Sequence, residues 1–371
     1  MKILHLNSNF VYTDIYRNLL DSQNPEIENI IFCPLKKKIE FNSDVYKVFS
    51  PVIIKKYHSI LSKVRREKSF NYILKNNLLD GIDLIHAHTL TNDGILANKI
   101  FKKYKIPFVL TIRNTDVNFS LKYKKHVKKE YKEAIENASL LIFPNYSYKN
   151  KLKKFFENSH KICHKISHSP IIPNGIDNYW LQNKATTEKT LGKEINLLFI
   201  GRIYKDKNLH RILKAIQEIN TLKINLNVIG KVQDQKYFNK LKKKHHFNYL
   251  GSLNRYEISE VMKTNDLFIM PSLNETFGLV FIESLTQNLP IIYTMHEGVY
   301  GYFDDSKYGV AVDPKNINDI TEAINYIVNN YSAFQSRLRN KEFINDFDWN
   351  NIGQKYSEIY RKINSEWKNR K

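Results

Sequence analysis

Two series of short apolar runs, separated by longer polar segments, constrain the fold of this 371-residue chain more than any other feature. Within each run, Ile, Val, Leu and Phe follow one another without alternating with polar residues, which is typical of strands buried on both faces of a sheet. Helical patterns of about 10–15 residues separate the runs, as they do in parallel β–α–β units. The pattern therefore predicts an α/β protein of two Rossmann-like domains with parallel sheets.

Each series predicts five strands. The first series gives 3–6, 30–33, 83–86, 108–112 and 140–144, and the second gives 196–200, 226–229, 266–270, 290–293 and 310–312. In open parallel sheets, ligands bind beyond the carboxyl ends of the strands, so chemistry is expected in the loops that follow them. Two facing domains of this kind would build a site in the cleft between them.

Turn-forming residues mark the boundary between the two series. Pro173-Asn174-Gly175 favours a turn, and a polar stretch without apolar periodicity follows over 181–194. The sequence therefore predicts a linker here, between an N-terminal domain of residues 1–178 and a C-terminal domain of residues 190–349. The last segment, 350–371, predicts a helix from the spacing of its apolar residues, which are Ile352, Tyr356, Ile359, Tyr360 and Ile363.

Neither a membrane span nor a disulfide framework is expected. No run of about 18 apolar residues occurs. The N-terminal segment fits a first strand better than a signal peptide, because no small-residue cleavage site follows it. The two cysteines, Cys33 and Cys163, are too few for a framework and fit a reducing compartment. We therefore expect a cytoplasmic protein.

A formal net charge of +21 indicates an anionic partner, which could be a nucleic acid, a membrane surface or a phosphorylated substrate. Residues 1–175 carry 30 Lys and Arg against 15 Asp and Glu. Lysines are densest in 121–132, where Leu121, Tyr123, Val127 and Tyr131 are interleaved, and in 149–154. Such a helix can lie on anionic lipid, or it can simply be a solvated helix in a lysine-rich chain.

The first loop of chemical interest follows the strand at 196–200. A glycine, Gly201, ends the strand, and Arg202 and Lys207 follow it five residues apart. Glycine allows a tight turn or a close approach to a ligand, and two cations at a strand end can neutralise a diphosphate. The alternative is a solvated charged loop.

The second loop carries two carboxylates eight residues apart. Glu275 lies in the loop after a strand, whereas Glu283 lies within an apolar helical run, where a carboxylate costs free energy unless it has a partner. A carboxylate can accept both hydroxyls of a ribose, and Gly278 leaves backbone N–H groups free at the helix N-terminus. Alternatively, Glu275 only complements the helix terminus and Glu283 is exposed.

These residues resemble the retaining glycosyltransferases of family 4, the glycosyl transferases group 1, which have the GT-B fold. The family carries a Glu, seven intervening residues and a second Glu, with Phe-Gly after the first. Glu275 and Glu283, with Phe277 and Gly278 between them, have this form.

Two further motifs carry the resemblance, in the expected order along the chain. The family has Gly-Arg after a strand and a Lys about five residues on, as in Gly201, Arg202 and Lys207; Asn208 then stands where glycine is common in the family. A Pro-Asn-Gly-Ile-Asp element closes its N-terminal domain, and 173–177 is similar to it. The resemblance covers most of residues 170–300. It implies the GT-B fold, with two facing Rossmann-like domains and a C-terminal helix that returns to the N-terminal domain.

The resemblance also implies residue roles. Arg202 and Lys207 would bind the donor diphosphate and stabilise charge on the leaving group, so that no metal ion and no cofactor is needed. Glu275 would bind hydroxyls of the transferred sugar, Glu283 would hold the ribose, and Gly230 would border the nucleotide. The residues expected to offer backbone contacts to the donor are Gly201, Phe277, Gly278 and Leu279.

In the N-terminal domain the match is weaker. His86 and His88 lie on one side of a strand end, and the family's second histidine lines the donor sugar and the acceptor, which makes His88 the catalytic candidate. The alternatives are a hydrogen-bonded core histidine and a metal-binding pair. The Gly-Gly loop of many relatives is replaced by a loop with Asn9. The family's Thr-x-His-Gly-x-Asp becomes 111–116, in which Arg113 replaces the His and Asp116 ends the motif. Asn9, Arg113 and Asp116 are therefore the expected acceptor contacts.

The resemblance implies a retaining enzyme that moves a hexose-type sugar from a nucleotide diphosphate sugar, UDP- or GDP-linked, to an acceptor. The acceptor would be a glycan or a polyprenyl-diphosphate-linked glycan of cell-surface polysaccharide biosynthesis. The anionic inner face of the plasma membrane is an expected partner, whereas nucleic acid is not. The alternative is a basic membrane- or nucleic-acid-binding protein without transferase activity.

Overall fold

A computed structural model describes residues 1–39, 45–55, 62–123, 127–304 and 306–370. The chain forms two compact units. The first contains residues 1–144, 148–175 and 349–371, and the second contains 145–147 and 176–348. In the part of the chain that is described, no helix has both the length and the apolar character needed to cross a bilayer.

Each unit is built on one sheet of six parallel strands within the described residues. In the first unit the order is β3-β2-β1-β4-β5-β6, with β1 (Lys2–Leu6), β2 (Glu28–Phe32), β3 (Lys47–Phe49), β4 (Leu84–Ala87), β5 (Phe108–Thr111) and β6 (Leu140–Ile142). In the second unit the order is β12-β11-β10-β7-β8-β9, with β7 (Glu194–Ile200), β8 (Lys223–Ile229), β9 (Asn248–Gly251), β10 (Leu267–Ile269), β11 (Ile291–Thr294) and β12 (Gly309–Val312).

Helices connect the strands in both units. The chain from the first strand to β6 and onward to the second unit contains α1 (Ile15–Asp21), α2 (Ser62–Lys75), α3 (Ile95–Tyr104), α4 (Leu121–Tyr123), α5 (Lys128–Asn137), α6 (Tyr146–Phe155) and α7 (His160–Ser167). The second unit contains α8 (Asn178–Gln182), α9 (Leu209–Glu218), α10 (Gln235–Lys244), α11 (Arg255–Lys263), α12 (Leu279–Thr286), α13 (Ile317–Asn329) and α14 (Tyr331–Arg339), and α15 (Trp349–Lys368) follows it. Short 3-10 helices occupy Phe10–Tyr12, Lys205–Lys207 and Glu342–Phe347, and π-helical turns occupy Leu90–Gly94 and Thr115–Ser120.

Both faces of the first sheet are buried, which explains its continuous apolar runs. On β1, Leu4 and Leu6 face one apolar cluster, whereas Ile3 faces another. The first cluster is closed by side chains of α2, α3, α5 and α7, and the second by α1 and α15. Because every strand side chain then packs against a helix, hydrophobic residues are favoured at consecutive positions.

The C-terminal helix α15 packs on the first sheet. Its apolar residues form one cluster with sheet residues Ile3, Leu84, Val109 and Ile142, and they are Ile352, Tyr356, Tyr360 and Ile363. Gly353 allows the close approach of α1, because a Cβ there would lie 2.0 Å from the carbonyl oxygen of Ser22. The predicted return of the C-terminal helix to the N-terminal part of the chain is thus confirmed.

The α/β prediction is confirmed, and each of the ten predicted strands corresponds to an observed one. The sequence missed β3 and β9, which lie at sheet edges. These short edge strands carry polar and half-exposed residues, so they lack the continuous apolar signature of strands that are covered on both faces.

The polar stretch 181–194, for which the sequence predicts a linker, instead belongs to the second unit. Its Lys189 ammonium donates hydrogen bonds to the carbonyl oxygens of Met262 and Asn265, the latter at 2.7 Å. The backbone N–H of Ala185 donates to the Thr286 carbonyl at 2.9 Å. The stretch is held by polar contacts, which leave no apolar periodicity in the sequence.

We predict that Gly353→Ala destabilises the first unit by about 1–3 kcal/mol, because the added methyl meets backbone that a side-chain rotation cannot move. The free energy of unfolding from equilibrium urea denaturation measures the effect. Glu358→Ala, on the exposed side of α15, is the matched control and should stay within about 0.5 kcal/mol of wild type. Equal stabilities of the two variants would contradict the close contact.

Candidate active site

The strand order fixes where each unit can bind a ligand. Chain connections run in opposite directions from β1 and β4 in the first sheet, and from β7 and β10 in the second. A crevice opens beyond the carboxyl ends of the strands at such a switch point, and ligands of doubly wound sheets bind there. The loops after β1, β4, β7 and β10 are therefore the candidate binding loops of the two units.

Two glycines shape the loops after β7 and β8. Gly230 has φ +140°, and a Cβ there would lie 2.0 Å from the Gly201 carbonyl oxygen. The Gly201 N–H donates to the carbonyl oxygen of Ile229 at 2.9 Å. The two loops therefore contact each other through their backbones. Neither glycine places a side chain next to the neighbouring Arg202.

Of the two predicted cations, one is free and one is paired. Arg202 is exposed, and its guanidinium carbon lies 5.7 Å from the centre of the Tyr204 ring. No described carboxylate forms an ion pair with it. The Lys207 ammonium lies 2.6 Å from Oε2 of Glu275, and these side chains are only 12% and 10% exposed. The structure therefore brings together the cation and the carboxylate that the sequence placed 68 residues apart.

Backbone contacts lock the loops that carry this pair. The Leu273 N–H donates to the Asp206 carbonyl at 2.8 Å. Asn208, buried and with φ +64°, donates from Nδ2 to the carbonyl oxygen of Pro271 at 2.9 Å. Asparagine tolerates this left-handed conformation, which explains why it can stand where relatives carry glycine. The hydroxyl of Thr294 donates to the carbonyl of Ser272 at 2.6 Å.

The helix α12 begins next to Glu275. Gly278, with φ +77°, is its N-cap and has no side chain that could cap the helix. A Cβ at Gly278 would lie 2.5 Å from the Phe281 ring. Phe277 is buried in the core, whereas Leu279 is half-buried at the start of the helix. The helix N-terminus therefore offers backbone N–H groups and partial positive charge beside the carboxylate.

Glu283 lies one turn further along α12 in an apolar setting. Burial and, to a smaller extent, the charge of Asp177 raise the pKa of its carboxyl to about 7, and Arg255 opposes the shift. Asp177 caps α8 by accepting a hydrogen bond from the Tyr179 N–H at 2.9 Å, and it also pairs with Arg255. Among the described residues, no hydrogen bond reaches the Glu283 carboxyl. It is a costly group that a ligand hydroxyl would satisfy.

In the first unit, a cavity of about 480 Å³ opens at the ends of β1 and β4. Asn9 lines it, as do Ser8, Lys36 and Arg65. Arg65 donates a hydrogen bond to the Ser8 hydroxyl at 2.7 Å. The sequence predicted Asn9 at this position, but it did not point to Arg65, which lies on a helix 57 residues away.

Behind this cavity lies a buried carboxylate that the sequence reasoning missed. Asp93 accepts hydrogen bonds from the hydroxyls of Ser8 at 2.6 Å and of Thr89 at 2.9 Å. Burial raises the pKa of Asp93 to about 6, and these hydrogen bonds and Arg65 oppose the shift. Its position in the turn that follows β4, at the predicted ligand-binding edge, is the signal that could have identified it.

His88 belongs to a buried group of three imidazoles with His5 and His86. The His5 Nε2 lies 2.8 Å from Oδ1 of Asn29 and therefore donates to it, which leaves Nδ1 to accept from Nε2 of His88 at 3.0 Å. Burial lowers the pKa of His5 to about 4 and lowers the pKa of both neighbours well below the usual value, so all three rings are neutral. The Nδ1 of His88 is buried without a hydrogen-bond partner in the described chain.

These histidines are the one group of three or more metal-ligating side chains in the described residues whose ligand atoms all lie within 4.8 Å of one another. Most of their nitrogens already have partners. His86 lies 2.6 Å from the Tyr360 hydroxyl and 2.8 Å from the Thr111 hydroxyl. The arrangement is that of a hydrogen-bond network, which also ties α15 to β4.

One predicted acceptor contact, Asp116, needs correction. Asp116 is fully buried, and its carboxylate accepts hydrogen bonds from the backbone N–H groups of Leu90, Thr91 and Arg113 at 2.9–3.1 Å. It closes the loops after β4 and β5 on each other, and so it has no free oxygen to offer an acceptor. Arg113 donates to Oδ1 of Asn174 at 2.9 Å and does not line the cavity.

The lysine-rich segment also differs from expectation. Residues 124–126 lie outside the described residues. Of the four interleaved apolar residues, Leu121, Val127 and Tyr131 are buried in the core of the first unit, and only Tyr123 is exposed, at 62%. In the second basic segment, 149–154, the Lys149 ammonium caps α7 by donating to the Ser167 carbonyl at 3.0 Å.

Two Rossmann-like units, with a Gly-Arg-Lys loop and a double-glutamate loop at the switch point of the second, define the class of GT-B glycosyltransferases. Comparison with known proteins agrees. The model of "Glycosyltransferase Family 4" matches residues 21–178, and that of "Glycosyl transferases group 1" matches residues 183–343. The chain belongs to this family and is a glycosyltransferase.

Similar proteins include the uncharacterized glycosyltransferase MJ1178 of Methanocaldococcus jannaschii, 26% identical over 84% of this chain and 83% of its own. The putative teichuronic acid biosynthesis glycosyltransferase TuaC of Bacillus subtilis is 26% identical over 65% of this chain and 60% of its own. A crystal structure of Anabaena Alr3699/HepE in complex with UDP has the same fold, with a TM-score of 0.69, 17% identity, and coverage of 98% of this chain and 100% of the other.

The raised pKa of Glu283 predicts a pH-dependent stability. The folded state binds this proton more tightly than the unfolded state does, so the penalty is absent below about pH 4 and fully present above about pH 7. Stability should therefore fall between about pH 4 and pH 7. Glu283→Gln should remove on the order of 2 kcal/mol of that fall, as measured by urea denaturation across this range.

Glu322→Gln, at an exposed position of α13, is the matched control and should keep the wild-type pH profile. If Glu283→Gln also keeps that profile, the Glu283 carboxyl titrates in the folded protein as it does in the unfolded chain.

Proposed function

We propose that this glycosyltransferase moves a hexose-type sugar, with retention of anomeric configuration, from a nucleotide diphosphate sugar to a glycan or lipid-linked acceptor. The single observation that carries the proposal is the Lys207–Glu275 ion pair near Arg202, which forms no ion pair among the described residues, at the switch point of the second sheet. A cation that can meet a diphosphate and a carboxylate that can meet sugar hydroxyls are thus held within one hydrogen bond of each other.

Arg202 and Lys207 bind the donor diphosphate. Arginine can contact phosphate oxygens bidentately, and lysine acts as a point charge. The two charges stabilise the negative charge that develops on the leaving diphosphate as the glycosidic bond breaks. This is the work that a metal ion does in other transferases, so the proposal needs neither a metal nor another cofactor.

Glu275 positions the transferred sugar. Its Oε2 is engaged by Lys207 and its Oε1 accepts from the Thr276 N–H at 2.9 Å, so the carboxylate is fixed before the donor binds. Each oxygen has a further lone pair with which to accept from a sugar hydroxyl. The backbone N–H groups at Gly278 and Leu279 add donors for the same sugar. Glu275 is a binding group here rather than a nucleophile.

Glu283 and Gly230 hold the nucleoside. Two ribose hydroxyls can donate to the Glu283 carboxylate, which has no hydrogen-bond partner in the described chain. The bare backbone at Gly201 and Gly230 admits the nucleotide close to the sheet edge. The structurally similar Anabaena protein was crystallised with UDP, which supports nucleotide binding by this fold. The proposed donor is a UDP- or GDP-linked sugar.

The transfer is proposed to occur on the face from which the diphosphate leaves. The bond between the anomeric carbon and the diphosphate oxygen breaks, and the acceptor oxygen forms its bond on the same face. The acceptor proton passes to the departing phosphate oxygen, which Arg202 and Lys207 otherwise neutralise. His88, whose Nδ1 has no partner among the described residues, can accept a hydrogen bond from a sugar hydroxyl.

Cell-surface polysaccharide assembly is the proposed role, supported by the similarity to the teichuronic acid protein. We also propose a cytoplasmic enzyme that associates with the inner face of the plasma membrane. The exposed aromatic pair Phe119 and Tyr123, whose ring centres are 5.1 Å apart, lies among lysines, and such a surface favours anionic lipid.

We predict that one nucleotide among UDP, GDP, ADP and CMP raises the melting temperature of the wild type. A ligand at 100 times its dissociation constant should add about 2.7 kcal/mol of stability. Arg202→Ala and Glu283→Ala should abolish the shift, because they remove a diphosphate contact and the ribose contact. Lys205→Ala is the matched control, since Lys205 is exposed on the same turn, and it should keep the shift.

The kinetic counterpart is a loss of about 10²–10³ in kcat for Arg202→Ala, as expected when a preorganised charge at the leaving group is removed. A protein that no nucleotide stabilises and that hydrolyses no nucleotide sugar would contradict the donor site. It would favour a basic membrane- or nucleic-acid-binding protein.

We further predict that transfer continues in excess EDTA and that the product keeps the anomeric configuration of the donor. Proton NMR of the first product, before mutarotation, reports the configuration through the anomeric coupling constant. Loss of activity in EDTA that Mg²⁺ or Mn²⁺ restores would contradict metal independence, and an inverted product would contradict the front-face transfer.

A further inference from the structure

The cavity of the first unit has cationic walls. Lys36 and Arg65 line it, and no Asp or Glu lies among the described residues in its walls. The other polar lining residues carry hydroxyls and amides, and they include Ser8, Asn9 and Thr91. A cavity with charges of one sign and low-dielectric walls concentrates ligands of the opposite sign.

Arg65 is held in place and still has donors to offer. Its Nη2 donates to the Ser8 hydroxyl at 2.7 Å, and that hydroxyl donates to Asp93 at 2.6 Å. In the described chain this is the one side-chain hydrogen bond of Arg65, so the other N–H groups of the guanidinium are free for a ligand. Asp93 lies behind Ser8 and is only 3% exposed, so it orients the guanidinium without facing the cavity.

We propose that this cavity binds the acceptor substrate through a phosphoryl group held by Arg65 and Lys36. The inference rests on the proposed transferase function, since it identifies the chemical class of the acceptor. Two cations match a dianionic phosphate better than a monoanionic carboxylate. The side-chain amide of Asn9, which also lines the cavity, supplies a hydrogen-bond donor to the remaining phosphate oxygens.

Aromatic side chains provide the apolar part of the same site. Tyr12 and Phe119 line the cavity and are 58% and 55% exposed. Their free faces suit either a sugar ring or the first isoprene units of a lipid carrier. The phosphoryl group therefore belongs either to a sugar phosphate or to a polyprenyl phosphate, and the two sources share the contacts to Arg65 and Lys36.

The test is calorimetric titration of the full-length protein with three probes: glucose, glucose 6-phosphate and farnesyl diphosphate. We expect at least one phosphorylated probe to bind at least tenfold more tightly than glucose. Tighter binding of glucose 6-phosphate indicates a sugar phosphate, and tighter binding of farnesyl diphosphate indicates a lipid carrier. The proposal is overturned if glucose binds as tightly as the phosphorylated probes, or if neither phosphorylated probe binds.

Variants localise the binding. Arg65→Gln and Lys36→Gln should each weaken the phosphorylated probe about tenfold, and Lys37→Gln, the matched control, should not, because Lys37 does not line the cavity. Lys36 is exposed, so its replacement leaves folding intact even if that of Arg65 does not. Unchanged affinity in Lys36→Gln and in a folded Arg65→Gln overturns the proposal.

Nucleotide binding, measured in parallel, separates this proposal from the donor site. A protein that a nucleotide stabilises but that binds neither phosphorylated probe fails the acceptor proposal alone. A protein that binds a phosphorylated probe at Arg65 but responds to no nucleotide fails the transferase proposal and leaves the anion site standing.

Discussion

The common direction of the strands is the constraint on which the rest of this structure depends. Since all twelve described strands run parallel within their sheets, every strand ends at the same edge of its sheet, and every loop after a strand reaches that edge. The switch points then select which loops become neighbours. Ser8 and Asp93 meet in this way in the first unit, and Lys207 and Glu275 meet in the second.

Buried charge is the second constraint, and the structure accommodates it in a different way at each position. Lys207 and Glu275 neutralise each other, so breaking the pair by removing one partner leaves an uncompensated charge. Glu283 has no hydrogen-bond partner among the described residues, and its raised pKa reflects the cost of keeping it ionised. The histidines of the first unit avoid the cost by staying neutral. Buried groups without a partner are candidates for contact with a ligand.

Residues that depart from the family pattern acquire local explanations. Asn208 takes the left-handed conformation that glycine adopts easily, and it adds hydrogen bonds that glycine lacks. Arg113, which stands where relatives carry histidine, reaches Asn174 instead of the cavity. Asp116, an expected acceptor contact, fastens two loops by accepting backbone N–H groups. A short motif therefore shows that a position matters, but not whether it contacts substrate or holds the loop that does.

The sequence by itself determined the α/β class, ten of the twelve described strands, the packing face of the last helix and the residues of the two candidate binding loops in the second unit. It could do so because burial on both faces leaves continuous apolar runs, and because a strand end followed by Gly-Arg or by a double-glutamate loop is a local pattern. Only the tertiary structure decided that Lys207 pairs with Glu275, that Arg65 reaches Ser8 and that Asp116 is buried. Those contacts join residues far apart in the chain, and the strand order that brings them together leaves no local trace in the sequence.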